Sequence, residues 1–188
     1  MYSCGLMALG ATLFHLQVTL SDVDRGVYEA LDLRVAQHPS ESLRYMLTRV
    51  LAYCLSHTDG IAFSKAGIAT TDEPPIAVRD PTGLLLAWID VGAPSAERLH
   101  RATKAARQVS LFSCTPLAQL QREAGTRTIH RADTIELWRL EPAFLDALGL
   151  LIDRNTKFEL VRNEGLLYVT VGETVLEGTL TRCSLLAP

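Results

Sequence analysis

Short catalytic signatures are missing from this chain. It has no GxxxxGKS/T loop, no GxGxxG, no HExxH and no GxSxG, which sets aside P-loop nucleotide hydrolases, dinucleotide-binding dehydrogenases, zincins and elbow-type serine hydrolases. Cysteine is sparse, and Cys4, Cys54, Cys114 and Cys183 lie far apart with no CxxC pair. That spacing excludes a zinc cluster and predicts reduced thiols in a cytoplasmic protein. No apolar run approaches the roughly 20 residues needed to span a bilayer. The N-terminus lacks a basic segment followed by a sustained apolar one, so neither a membrane anchor nor a signal peptide is expected. Aromatics are only 6% of the chain, and Tyr2, Tyr53 and Trp88 form no regular stacking stripe of the kind that favours single-stranded nucleic acid. A large excess of one charge is also missing. The formal net charge is -3, which does not indicate a globally electrostatic nucleic-acid binder.

What is present is an ordinary folded composition, 48% apolar and 21% charged over 188 residues, enough for one domain spanning 1–188. Residues 1–8 precede the first periodic segment and are expected to be a disordered tail. Alternation from Ala11 to Leu20 and again from Val27 to Ala36 predicts two strands joined by the turn in SDVDRG. A helix is expected from Pro39 to about Ser56, with Leu43, Met46, Leu47, Val50, Leu51 and Cys54 as its buried stripe. Strands are predicted at Ile61–Ser64, Ile76–Val78, Leu84–Val91 and Ser110–Ser113, with a helix from about Ala96 before the last of them. The remainder reads as helix Pro116–Ala124, strand Thr134–Leu140, helix Pro142–Leu150 and strands Lys157–Val161, Leu166–Val171 and Val175–Thr181. The last three look like a terminal meander joined to the first hairpin. The fold class is α/β (mixed α+β).

The apolar run LLLAWIDVG, Leu84–Gly92, carries the sharpest chemical signal. It reads as a strand buried on both faces with Asp90 at its end. A carboxylate there must be solvated, paired or bound to a cation. It either contacts a metal or substrate in the crevice at the strand end, or caps the next helix. Glu41, in HPSE, is placed where helix amides favour a carboxylate, and pairing with Arg44 or Tyr45 would explain it equally well. His38 beside it reads as structural. Glu73, in TTDEPP, is aimed by two following prolines, or belongs to a plain acidic turn with Asp72. Three acids beside a cation would make a Mg²⁺ site for phosphate esters, with Glu41, Glu73 and Asp90 as ligands. Arg101 and Lys104, on the following helix, are the candidate cations. From Arg98 to Arg131 there are seven Lys or Arg residues against one acid, Glu123. This stretch is either a basic face for nucleic acid or a solvated helix surface.

The words MALGAT at Met7, SDVDRG at Ser21, HPSE at His38, DEP at Asp72, LLLAWIDVGAP across Asp90, ERLHRATKAARQV at Glu97 and SLFSC at Ser110 together resemble the bacterial YaeQ family, over nearly the whole chain after Met7. The resemblance implies a decorated restriction-endonuclease-like, variant PD-(D/E)xK fold. Its mixed central sheet would carry the N-terminal hairpin and the C-terminal antiparallel strands as additions. It also implies Mg²⁺-dependent cleavage of a nucleic-acid phosphodiester, with Glu41, Glu73 and Asp90 as the acids. The chain departs from that pattern at Gly92, which stands where the motif lysine would be, so Arg101 or Lys104 would have to supply the cation. Three functions follow from these observations: a metal-dependent phosphodiesterase or nuclease, a catalytically inactive module binding nucleic acid or protein, and a small-molecule phosphoesterase.

Overall fold

The computed structural model describes residues 10–64 and 72–187. The expected N-terminal tail and Cys4 lie outside them. One ten-stranded sheet runs through the described residues, in the order β2-β1-β8-β9-β10-β7-β6-β5-β4-β3. The strands are β1 (Thr12–Asp22), β2 (Val27–Gln37), β3 (Ile61–Phe63), β4 (Ile76–Arg79), β5 (Leu85–Val91), β6 (Gln108–Ser113), β7 (Glu136–Leu140), β8 (Asn155–Asn163), β9 (Leu166–Val171) and β10 (Thr174–Cys183). Four helices accompany them: α1 (Leu43–Leu55), α2 (Ala96–Ala105), α3 (Leu117–Ala124) and α4 (Pro142–Gly149). The order α1-β3-β4-β5-α2-β6 is the order read from the sequence. None of these helices is long and apolar enough to cross a membrane.

Two strand pairings organise the molecule. β8 lies parallel to β1, which attaches the terminal meander to the first hairpin as the sequence suggested. β10 lies antiparallel to β7, fusing that half to the parallel set β5-β6-β7. The α2 crossover links β5 and β6, which are direct parallel neighbours.

The apolar run of β5 has its explanation in two cores. Ala87, Ile89 and Val91 join the α1 and α4 side chains in one buried cluster, and Trp88 joins Leu99 and Ala102 of α2 in the other. Alternate residues of a strand point to opposite faces. With both faces covered the strand is apolar on both, and Asp90 is the exception, only 2% exposed.

Several strand ends differ from expectation by one to two residues, and the start of the first helix differs by more. Helix α1 starts at Leu43, with Ser42 as N-cap accepting the Tyr45 N–H, rather than at Pro39. The segment before it is a turn closed by the Glu41 N–H on the His38 carbonyl at 2.8 Å. A side-chain cap that satisfies a helical amide outweighs the suitability of Pro39 for a first turn. Glu41 therefore precedes the helix.

At the other end of α1, Gly60 turns the chain into β3 with φ 79. A Cβ there would strike the Arg79 backbone carbonyl, and Arg79 N–H bonds the Gly60 carbonyl at 3.0 Å. Gly60→Ala is expected to cost about 3 kcal/mol or more, combining left-handed strain with a backbone clash that cannot relax. Urea denaturation measures it. A cost within 0.5 kcal/mol of zero, the range of an ordinary surface change, would refute this account.

Candidate functional site

Asp90 ends β5, and the loop after it leads into Ser95, which caps α2 by accepting the Arg98 N–H. This short path brings the Arg98 side chain back over the strand end. Its Nε donates to Asp90 Oδ2 at 2.6 Å, and Trp88 Nε1 donates to the same oxygen at 3.0 Å. The Val91 N–H reaches Oδ1 at 3.1 Å. The guanidinium also lies over the Trp88 ring, 5.3 Å from its centroid, a favourable cation–π placement. A second arm, Nη2, donates to the Glu73 carbonyl at 2.9 Å. Arg98 thus ties the strand end to the segment that carries Glu73.

Glu41 is held the same way by another arginine. Arg49, on α1, donates from Nε to Oε1 and from Nη2 to Oε2, each at 3.0 Å, and the His38 N–H adds a bond to Oε2 at 3.1 Å. Arg49 Nη2 also donates to the Ala36 carbonyl at 2.8 Å. The Glu41 side chain is fully buried and that of Arg49 is 4% exposed. A bidentate fork of this kind fixes geometry as well as charge.

Tyr45 lies within electrostatic reach of both pairs. Its phenol pKa is pushed up to about 12, first by burial and then by the negative charges of Asp90 and Glu41, with Arg49 and Arg98 opposing. Its ring also closes over Gly92: a Cβ at that position would lie 2.9 Å from Tyr45 Cε2, with φ at 85. At Gly92, where the sequence resemblance looked for a lysine, the Tyr45 ring leaves no room for a side chain.

The other sequence-derived candidates lie further out. Glu73 is exposed, and its Oε2 accepts from Ser64 Oγ at 3.3 Å. Arg101 pairs with Asp72 at 2.5 Å, both exposed, an interaction worth about 0–1 kcal/mol. Lys104 is exposed in the last turn of α2. The cation on Asp90 is therefore Arg98, whereas the sequence reading looked to Arg101 or Lys104. Glu41, Asp90 and the backbone of Glu73 are brought to one region, and Arg101 and Lys104 stand outside it. Among the described residues no group of three His, Cys, Asp or Glu side chains is arranged to hold a metal ion. A divalent ion at Glu41 or Asp90 would have to displace the guanidinium already seated on each.

Arg49, Tyr45 and Arg98 were missed as site residues. An arginine inside the apolar stretch LTRVLAYCL was the available signal for Arg49. For Arg98 it was a serine cap three residues earlier, close behind an acid-terminated strand. The basic stretch also divides. Arg131 Nη2 donates to the Thr103 and Ala106 carbonyls at the end of α2, and Arg127 approaches Glu97 at 3.9 Å. Lys104 and Arg107 are exposed and make no ion pair or side-chain hydrogen bond with described residues.

The architecture and site define a class: a mixed α+β protein on one ten-stranded sheet, with two buried acids, Glu41 and Asp90, each paired with an arginine. The chain belongs to the YaeQ family, whose model, described as YaeQ protein, matches residues 7–180. Among its relatives are the uncharacterised YaeQ proteins of Escherichia coli K12, 28% identical over 93% of this chain and 97% of that protein, and of Salmonella typhi, 29% identical over the same shares. The crystal structure of the YaeQ protein from Xanthomonas axonopodis pv. citri is similar with a TM-score of 0.83 and 28% identity, covering 95% of this chain and 99% of that one. That from Pseudomonas syringae has a TM-score of 0.82 and 27% identity, covering 92% and 95%.

Proposed function

We propose that the chain is a non-hydrolysing module that binds the nucleic-acid backbone. The observation that carries this reading is the state of the two buried acids. Both oxygens of Glu41 and both of Asp90 accept hydrogen bonds from protein donors, and a guanidinium sits on each carboxylate. Positive charge that a hydrolytic centre of the PD-(D/E)xK kind would take from a divalent ion is supplied here by Arg49 and Arg98. Those arginines make the strand end a rigid support. Binding then falls to the exposed cations beyond it, Arg101 and Lys104 on α2 and Arg107 after it. Phosphate contacts by such residues give affinity without sequence preference and release counterions.

Fluorescence anisotropy with labelled single-stranded DNA, duplex DNA and single-stranded RNA tests the proposal, over a range of salt and with Mg²⁺ or Mn²⁺ present. Binding that weakens steeply with salt is expected, and the probe is recovered intact. Lys104→Ala and Arg107→Ala should each lower the salt slope by about one contact. No binding to any of the three probes sinks the proposal. The placement of Glu41 and Asp90 around Tyr45 is what supports the rival reading, a metal-dependent phosphodiesterase. Metal-dependent cleavage abolished in Asp90→Asn would put that enzyme in its place.

A further inference from the structure

Among the described residues strand β2 is an outer edge of the sheet, and apart from its charged side chains it lacks the devices that protect edges. It pairs with β1 in unbroken register from Thr12–Gln37 to Asp22–Val27, and its sequence, VYEALDLRVAQ, contains no proline and no lysine. The opposite edge, β3, has only three residues. Natural edges are blunted by shortness, bulges, proline or lysine because an open strand is a template for another chain.

The free backbone groups of β2 can be assigned. His15 N–H donates to the Arg154 carbonyl beside β8 at 2.7 Å, so the His15 main chain faces β8. Its β1–β2 partner is Arg34, which must then turn its own N–H and carbonyl to the open edge, as in any non-hydrogen-bonded antiparallel pair. Tyr28, Ala30, Asp32 and Ala36 share that orientation by the period of two. On the sheet faces, Leu31, Leu33 and Val35 point to the core, while Asp32 and Arg34 are exposed. Arg34 makes no ion pair or side-chain hydrogen bond with described residues. Asp32 is contacted by His15 Nε2 at 2.7 Å.

We propose that β2 pairs antiparallel with β2 of a second copy of this chain, across a two-fold axis at Leu33. An axis normal to the sheet pairs residues of like parity, so core faces meet core faces. Centred on Leu33, it sets Leu33 against its own copy, Leu31 against Val35, Ala30 against Ala36, and Asp32 against Arg34 twice. Moving the centre one residue either way brings Asp32 against Asp32 or Arg34 against Arg34. Centring on Leu31 sets Asp32 against Ala30 and Arg34 against Tyr28, with no ion pair. Opposite charges directly across a ladder stabilise it and like charges oppose it, so the self-complementary pair selects both partner and register. The resulting sheet continues through the two-fold.

Sedimentation velocity over a concentration series tests the proposal, with circular dichroism confirming that each variant is folded. The wild-type chain is expected to dimerise. Ala30→Pro removes an N–H that only the second copy uses, and proline is tolerated on an edge. Arg34→Glu sets like charges against Asp32. Each should raise the dissociation constant about tenfold or more, and the swap Asp32→Arg with Arg34→Asp should restore it. A wild-type chain that stays monomeric at every concentration overturns the proposal. So does a dimer insensitive to Ala30→Pro. A swap as weak as Arg34→Glu overturns the Leu33 register. Nucleic-acid binding is read on a different surface, so loss of either result leaves the other interpretable.

Discussion

Arg49→Met is expected to lower the unfolding free energy by about 3–5 kcal/mol, the usual cost of stripping the partner from a buried charge. The Glu41 side chain has no exposure to solvent, and Arg49 supplies two of the three hydrogen bonds its carboxylate accepts from described residues. Once the guanidinium is gone, the carboxylate must be buried unpaired or the turn before α1 must open. In a chain of this size about 1 kcal/mol moves the midpoint by about 2–4 °C, so a fall of roughly 6–20 °C should be seen by thermal denaturation. Glu41→Gln combined with Arg49→Met should recover part of the loss, because the neutral amide no longer carries an unpaired charge. A double variant no more stable than Arg49→Met alone would show that the two side chains are not coupled and that Arg49 acts by packing on Phe63, 5.5 Å below it.

Gly92→Ala is expected to cost about 2–3 kcal/mol from two separable causes. A φ of 85 strains any residue with a Cβ, typically by about 1–3 kcal/mol, and the new methyl meets the Tyr45 ring. Truncating the ring, in Tyr45→Leu with Gly92→Ala, should remove the second cost and leave the first. The pair should therefore be less destabilised than the sum of the two single variants, as read in a urea double-mutant cycle. Strict additivity would mean that the ring does not press on position 92. Gly92→Lys should behave no better than Gly92→Ala and should confer no cleavage of DNA or RNA. Arg98 and Trp88 already fill the donor positions at Asp90 Oδ2.

Element order was legible because periodicity is local. Alternation in β1 and β2 and the 3- and 4-residue spacing of α1 were readable from each segment alone. The turn at Asp80–Gly83 and the glycines of the terminal meander were equally local. The start of α1 was misplaced because proline and serine both suit helix starts, and only the bond from the Tyr45 N–H to Ser42 separates them. The acids were found for the same reason that their cations were not. An isolated carboxylate at the end of an apolar run stands out in sequence, but the arginine that neutralises it is one among 15.

By itself the sequence determined the family, the run of helices and strands, and the position of Asp90 at the end of a doubly covered strand. Only the tertiary structure decided that β8 lies beside β1 and β10 beside β7, that Arg98 rather than Arg101 or Lys104 reaches Asp90, and that Tyr45 covers Gly92. The physical reason is range. Secondary structure follows from side chains three or four residues apart on a helix and two apart on a strand. An ion pair or a ring contact depends on distances across space, and those are fixed only when elements far apart in the chain pack on a common sheet.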